Sequence, residues 1–218
     1  MSVATFLEHA QDFLPILLKG AVITVEVTVL SFLLSSVIGL GLALMRLSPI
    51  QAVSTAGATI VNIIRGLPII VQLFYIYFVL PDVGIQLTAF QAGVIGLGIA
   101  YSAYQAENFR AGIEAVDPGQ REAAQAMGMR GALIMRRVIL PQAFRNMIPL
   151  LLTQAIILFQ DTSLVYVSAL SDFFTQAYNI GERDGRIVEL LLFAGLCYFV
   201  ICFGASVLVK RLQKKVTQ

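Results

Sequence analysis

The chain has 218 residues, of which 58% are hydrophobic and 13% are charged, and its mean hydropathy is +0.83. Soluble proteins have roughly a quarter of their residues charged, so this composition excludes a soluble globular domain. The net charge of +2 gives no indication of nucleic-acid binding, and no nucleic-acid partner is expected. We predict an all-α integral membrane protein.

The first 20 residues, MSVATFLEHAQDFLPILLKG, lead into the first long apolar segment. They contain no basic residue ahead of their apolar part, and Glu8 and Asp12 lie among them, which argues against a cleaved signal peptide. We expect an N-terminal interfacial amphipathic helix that continues into the first membrane span.

Five segments approach the length of about 20 largely apolar residues that a membrane-spanning helix needs. Their approximate bounds are residues 20–45, 58–80, 89–113, 146–169 and 187–209. We predict one transmembrane domain over residues 1–218, because no linker or change in composition marks a second domain. The connector 114–145 is the longest, and it is too polar to enter the bilayer.

Basic residues predict the orientation of these spans. Most of them follow the first span, lie between the third and fourth, or follow the fifth, and these positions share one side of the membrane. They are Arg46, Arg110, Arg121, Arg130, Arg136, Arg137, Arg145, Lys210, Arg211, Lys214 and Lys215. Because Lys and Arg concentrate in cytoplasmic loops, we predict the N-terminus outside, the C-terminus inside and the connector 114–145 in the cytoplasm.

The sequence contains no pattern that indicates catalysis. The single histidine, His9, precedes the first span, so a His-Glu-x-x-His motif and a histidine base within the bundle are both excluded. Asp161 has no second membrane aspartate to face it, and no phosphate-binding loop is present. We therefore predict no catalytic residue, no metal site and no cofactor bound by this chain.

A basic residue and a proline interrupt the second span at Arg65-Gly66-Leu67-Pro68. Pro68 has no N–H, and its ring clashes one turn back, which frees a backbone carbonyl near Ile64. One interpretation is a broken helix whose arginine holds an anionic group of a solute. The alternative is a kink that only shapes the bundle, with Arg65 reaching the cytoplasmic interface.

Other polar side chains within the spans are costly in lipid and by default indicate a solute path. Glu107 and Arg110 lie three residues apart, a spacing that also fits an ion pair without a ligand, and Gln72 fits a tie between helices equally well. Gln154 and Asp161 share a helix face that we expect to line the interior. The candidates for the substrate pathway are Arg65, Pro68, Gln72, Glu107, Gln154, Gln160, Asp161, Thr162 and Ser163.

The cytoplasmic connector is predicted to contain a short helix. Asp117 followed by Pro118 is a helix-start signal, and Gly128 is a helix-stop signal. A second amphipathic piece is expected after the glycine, closed by Leu140-Pro141 before the fourth span. A short helix with alanines on one side and charges at its ends fits a groove on another protein.

Glu122-Ala123-Ala124, Gly128 and Val138-Ile139-Leu140-Pro141 resemble the EAA loop of membrane subunits in bacterial ATP-binding-cassette importers. The pattern of that loop is E-A-A, three residues, G, nine residues and I-x-L-P, and Val138 replaces the usual isoleucine. The resemblance implies a coupling helix that lies in a groove of an ATPase subunit. The residues implied in coupling are Arg121, Glu122, Ala123, Ala124, Gly128 and Pro141. Glu122 is expected to contact the ATPase, both alanines to allow close approach, and Gly128 to permit the turn.

From about residue 14 to residue 212, the chain resembles the polar amino-acid subfamily of type I importers. Members of that subfamily have five spans and an outside N-terminus. The segments 65–73 and 104–113 carry the subfamily pattern, and the segments 149–174 and 180–185 most closely resemble permeases of glutamate/aspartate importers. Many relatives for basic or broad substrates have Lys at the position of Gln160. Arg65 is therefore the candidate cation for an acidic substrate in this chain.

The family implies a second permease subunit, which we expect to be a different chain, and two cytoplasmic ATPase subunits that bind ATP and Mg. It also implies a periplasmic amino-acid-binding protein and a location in the bacterial inner membrane, in contact with lipid. Import of another polar amino acid, such as glutamine or a basic one, is the first alternative. A stand-alone carrier or channel is the second, although two inverted repeats would be expected in such a chain.

Overall fold

The computed structural model describes residues 10–216, with side chains described for residues 11–213, and within that range the fold is helical without β-strands. The helices are α1 (Ala10–Arg46), α2 (Gln51–Gly66), α3 (Ile69–Phe74), α4 (Ala89–Glu114), α5 (Pro118–Ala126), α6 (Gly131–Ile134), α7 (Leu140–Asp161), α8 (Phe173–Arg183) and α9 (Ile187–Val216). A π turn (Tyr75–Val79) and a 3-10 turn (Leu80–Val83) extend α3, a π turn (Met135–Ile139) joins α6 to α7, and a 3-10 segment (Thr162–Ser168) follows α7.

The first span belongs to a helix that begins well before residue 20. α1 has 37 residues and passes through Pro15 and Gly20 without a break, so it extends over roughly 55 Å. The part of the expected interfacial helix that includes Glu8 and His9 lies outside the described residues. From Ala10 onward, the N-terminal segment and the first span form one helix.

The second predicted span, 58–80, is sharply bent. α2 and the helical segment Ile69–Val83 meet at an angle of 96°, and Leu67 and Pro68 between them have extended backbone angles. Proline disfavours the helical conformation in the residue before it and cannot donate a hydrogen bond to the preceding turn, which explains the position of the break. The proline therefore does more than kink this span, because it divides it.

The helix α4 lies at the centre of the bundle, where it packs against α1, α2, α3 and α7. Its contact with α1 is close: a Cβ on Gly39 would lie 2.7 Å from the carbonyl oxygen of Ser102, and a Cβ on Gly98 would lie 2.6 Å from the Leu34 side chain. Ser31 on α1 also donates a hydrogen bond of 3.2 Å to the Val94 carbonyl. Small residues thus allow the two backbones to approach, as expected where lipid provides no hydrophobic force between helices.

Three helical segments within residues 10–216 are long and apolar enough to cross a membrane, and the bent pair of α2 and α3 would be a fourth. The three are Gln11–Arg46, Gly131–Ser168 and Ile187–Gln213. α4, which coincides with the third predicted span, has 26 residues and extends roughly 39 Å, enough to cross a bilayer. It is less apolar because many of its small and polar residues, including Ser102 and Gln105, are buried against other helices and not exposed to lipid.

The helix that contains the fourth predicted span begins well before residue 146, and Leu140-Pro141 does not interrupt the helical structure as expected. Helical structure is continuous over the 38 residues of Gly131–Ser168, so the second part of the connector is the cytoplasmic extension of this span. The Leu140 N–H bonds to the Met135 carbonyl in the π turn, directly before Pro141. Pro141 directly follows this π turn, where the hydrogen-bond register shifts by one residue, so the helix continues past the missing N–H.

Candidate functional site

The short cytoplasmic helix α5 has the predicted start and end. The Asp117 carboxylate accepts a hydrogen bond of 2.7 Å from the Gly119 N–H, and Pro118 is the first helical residue. Gly128 follows the helix with a φ of +77°, in the left-handed region that closes helices at glycine. The Met129 N–H then bonds to the Ala124 carbonyl at 3.1 Å. The helix therefore ends just before Gly128, as the helix-stop signal predicted.

The two alanines of α5 face different surroundings. Ala124 is 1% exposed and packs in a cluster with Ile134, Ile139 and Met147, whereas Ala123 is exposed. The expectation that both alanines allow close approach of a partner is therefore wrong for Ala124, whose side chain packs against its own chain. The reason is the helical period, which turns adjacent residues about 100° apart.

The remaining predicted coupling residues lie on the surface. Arg121, Glu122 and Pro141 are exposed, and Met127 next to Gly128 is 75% exposed. Glu122 forms no hydrogen bond or ion pair with any residue of the described part of the chain. The exposed surface of α5 and the residue that follows it thus combines charged side chains, the Ala123 methyl group and the long apolar side chain of Met127. The opposite face of α5 packs against the same chain through Ala124.

Arg65 and Glu107, both candidates for the substrate pathway, are brought into contact with each other. Glu107 accepts hydrogen bonds from Arg46, from Arg65 at 3.2 Å and from Arg110 at 3.0 Å, and Arg110 also pairs with Glu114. The Arg65 guanidinium lies 5.5 Å from the centre of the Tyr104 ring. This arrangement ties the ends of α1, α2 and α4 together. It favours the interpretation of Glu107 and Arg110 as a structural ion pair, and it adds Arg65 to the same cluster.

Gln72 and Pro68 act together at the bend. The Gln72 side-chain amide donates hydrogen bonds to the carbonyl oxygens of Ile64 at 2.9 Å and Leu67 at 3.0 Å. These are carbonyls that the proline break leaves without a helical partner. Of the two interpretations of Gln72, the structure supports the tie between helical segments, and this tie stabilises the bend that Pro68 creates.

The polar residues at the end of α7 point in different directions. Asp161 accepts a hydrogen bond of 2.6 Å from the Tyr101 hydroxyl on α4. Gln154, which lies about two helical turns before Asp161 on the same face, is half-buried. Thr162 is buried and donates to the Phe159 carbonyl, and Ser163 is half-buried. Gln160 is exposed, and it lines a separate cavity between α7 and α9. The predicted row of polar residues is therefore divided between two surfaces.

Asp172, which the sequence places in a polar connector, is fully buried at the start of α8. Its carboxylate accepts hydrogen bonds from the backbone N–H groups of Thr175 at 2.9 Å and Phe174 at 3.3 Å, while Thr24 of α1 bonds to the Phe173 N–H at 3.0 Å. Burial raises the pKa of the Asp172 carboxyl, and these hydrogen bonds oppose that rise. Asp172 is an N-cap that joins the outer connector to α1.

The residues that sequence reasoning missed are the long-range partners. Arg46 and Tyr101 hold two of the candidate carboxylates, yet they lie 61 residues from Glu107 and 60 residues from Asp161. No spacing rule connects residues at such separations. The sequence did contain an indication for Tyr101, because the hydroxyl group of a buried tyrosine usually needs a hydrogen-bond partner.

The model of the family described as "Binding-protein-dependent transport system inner membrane component" matches residues 35–218. The chain belongs to this family. The match covers the bent second span, the coupling segment and every helix after it. The permease is thus an inner-membrane component of an ATP-binding-cassette importer for amino acids.

Individual relatives agree over nearly the whole chain. The permease is 45% identical to the glutamate/aspartate import permease protein GltK of Escherichia coli O157:H7, with 93% of this chain and 94% of the relative covered. It is 34% identical to the arginine transport system permease protein ArtQ of Bacillus subtilis, with 93% of each covered. A solved structure, "Crystal structure of an amino acid ABC transporter with histidines", has 35% identity, a TM-score of 0.91 and 99% coverage of both chains.

Proposed function

We propose that the permease imports acidic amino acids, glutamate and aspartate, across the bacterial inner membrane. The observation that carries this proposal is the 45% identity to GltK over 93% of the chain, against 34% to ArtQ at the same coverage. The higher identity to the glutamate/aspartate permease favours an acidic substrate over the arginine of ArtQ.

The proposed complex contains a second permease subunit of different sequence, two cytoplasmic ATPase subunits that bind ATP and Mg²⁺, and a periplasmic amino-acid-binding protein. The exposed side chains of α5 support a docking role. Glu122 has no partner among the described residues, and Met127 presents a flexible apolar side chain that adapts well to a groove. ATP hydrolysis then takes place outside this chain.

The fold offers a direct mechanical route for alternating access. α5 is anchored through Ala124 to Ile134 and Ile139, which belong to the helical rod Gly131–Ser168. This rod extends without a break from the cytoplasmic connector to Gln160 and Asp161 in the membrane. Closure of the ATPase subunits would therefore move α5 and the rod as one body, and the rod would tilt the polar residues at its far end.

The test is ATP-driven uptake by the complex reconstituted with its binding protein in proteoliposomes. We expect uptake of labelled aspartate and glutamate, with little uptake of glutamine or arginine at the same concentration. Dominant uptake of glutamine or of arginine would contradict the acidic assignment while leaving the importer class intact.

A stand-alone carrier is the remaining alternative, and the same vesicles test it. If aspartate uptake continues without ATP, or in vesicles that contain the permease without ATPase subunits, coupling through α5 is refuted. We expect uptake to stop in both cases, because the proposed complex takes its energy from ATP hydrolysis on the ATPase subunits.

A further inference from the structure

A polar cavity lies between α7 and α9, on a surface that the ion cluster of Glu107 does not reach. Its volume is about 370 Å³, within the range of about 300–1,000 Å³ typical of small-molecule sites. Its polar lining comes from Thr153 and Gln160 on α7 and from Ser206, Lys210 and Gln213 on α9.

The polar residues of this cavity form two facing stripes. Thr153 and Gln160 are seven residues apart, as are Ser206 and Gln213, so each pair lies on one face of its helix. Lys210 lies one turn from Ser206 on the same face. Such stripes are costly against lipid, and by default they face a water-filled path or a protein partner.

Lys210 differs from the arginines at the other candidate site. Arg46, Arg65 and Arg110 all donate to Glu107, whereas Lys210 is exposed and forms no ion pair within residues 11–213. Its ammonium group carries three donors and no acceptor, which suits a carboxylate. No Asp or Glu lines the cavity, so the charge of Lys210 is not compensated there.

We propose that Lys210, together with Gln160 on the facing helix, binds the side-chain carboxylate of the acidic amino acid during its passage between α7 and α9. This assignment rests on the proposed function. The Lys210 ammonium supplies the charge, and the Gln160 amide supplies a neutral donor at the opposite wall. The selective cation of this permease then lies on α9.

The test compares equilibrium binding of labelled L-aspartate to the purified, ATP-free complex of permease and ATPase subunits without the periplasmic binding protein, with unlabelled L-asparagine as the isosteric neutral competitor. We expect Lys210→Gln to weaken aspartate binding roughly ten-fold, because a hydrogen bond to a charged group is lost, and to leave asparagine competition unchanged. Lys210→Arg keeps the charge, so binding should stay within about two-fold of wild type.

Two further variants separate a binding role from a structural one. Arg211→Gln removes the same charge one position along α9, outside the cavity lining, and should not change aspartate binding. The double variant Lys210→Gln with Gln160→Lys moves the cation to the opposite wall of the same cavity. It should recover most of the lost affinity if Lys210 binds the carboxylate. If the role of Lys210 is only structural, a lysine at position 160 should not restore binding.

The outcomes distinguish this inference from the proposed function. If the wild-type complex imports aspartate and Lys210→Gln binds it as tightly as wild type, the assignment of Lys210 is overturned and the proposed function stands. An equal loss in Arg211→Gln, or the absence of aspartate binding to the wild-type complex, would overturn it as well. If the wild type imports arginine or glutamine in place of aspartate, both are overturned.

Discussion

Glu107 illustrates how one side chain can connect three helices. It is the common acceptor for Arg46 of α1, Arg65 of α2 and Arg110 of its own helix, and its side chain is 23% exposed. Three guanidinium groups that converge in this way repel one another unless a carboxylate lies between them. Removal of that carboxylate should therefore cost more than removal of any one arginine.

We expect Glu107→Gln to lower the free energy of unfolding by roughly 1–3 kcal/mol, because partly buried arginines are left without their counter-ion. The matched control is Glu114→Gln, which removes a carboxylate that is 52% exposed and pairs with Arg110 alone. Thermal unfolding of the purified complex measures both changes. Equal shifts in the two variants would show that Glu107 is an ordinary surface charge.

The ion pairs of Glu107 differ in how far the sequence could predict them. Glu107 and Arg110 lie three residues apart on one helix, so their contact follows from helical geometry. Arg65 is 42 residues from Glu107, and nothing in the local sequence brings them together. The distant contact depends on the break at Pro68, which ends α2 directly after Arg65.

At the scale of elements, the turn after α5 depends on a single backbone conformation. Gly128 has a φ of +77°, and a Cβ at this position would meet nothing within 4 Å. The only penalty for a side chain is thus the left-handed conformation itself, about 1–2 kcal/mol. This makes Gly128 a clean probe of the geometry of the coupling helix.

We expect Gly128→Ala to reduce ATP-driven uptake several-fold, since the strained turn shifts α5 relative to the docking surface. Gly131→Ala is the control, because Gly131 has an ordinary φ and equally open surroundings. Co-purification of the ATPase subunits and uptake in proteoliposomes measure the effect. Loss of docking in Gly131→Ala, or its retention in Gly128→Ala, would contradict this role for the turn.

The adjacent alanines of α5 should respond differently to the same substitution. Ala124→Leu places a large side chain in the cluster of Ile134 and Met147 and should destabilise the fold by about 1–3 kcal/mol. Ala123→Leu changes an exposed position and should leave thermal stability unchanged while it blocks ATPase docking. Thermal unfolding and ATPase co-purification give the two readouts. The reverse pattern would show that the docking face is misassigned.

At the scale of the whole molecule, the long rod Gly131–Ser168 connects the cytoplasmic surface to the polar residues in the membrane. The proposed coupling requires this rod to be stiff, so that movement of α5 is transmitted to the polar residues at its far end. Arg136 and Arg137 are exposed and lie in the π turn between α6 and α7, where the rod leaves the connector. This turn is the place where a local loss of stiffness should separate ATP hydrolysis from movement.

We expect replacement of Arg136 and Arg137 by glycine to lower the amount of aspartate imported per ATP hydrolysed, because each helical glycine costs about 1 kcal/mol and adds flexibility. Replacement of both by alanine removes the same charges and keeps the helix, so its transport ratio should match wild type. Parallel assays of uptake and ATPase activity in vesicles provide the ratio. An equal decrease in the alanine variant would assign the effect to charge.

The sequence by itself determined the membrane class, the start and end of α5 and the family pattern. These features depend on composition, on signals within a few residues and on helical period, all of which are local along the chain. It did not predict that the helix of the fourth span begins at Gly131, because proline is usually a helix-stop signal, whereas a π turn directly before Pro141 allows the helix to continue.

Only the tertiary structure decided which polar groups meet. It paired Arg65 with Glu107, placed Asp161 against Tyr101, buried Ala124 and brought Gln160 into the same cavity as Lys210. The physical reason is that a polar group within a bundle must find a partner or water, and that partner is supplied by helix packing between distant parts of the chain. Helical period restricts which face a residue occupies, but the packing of the bundle determines what that face contacts.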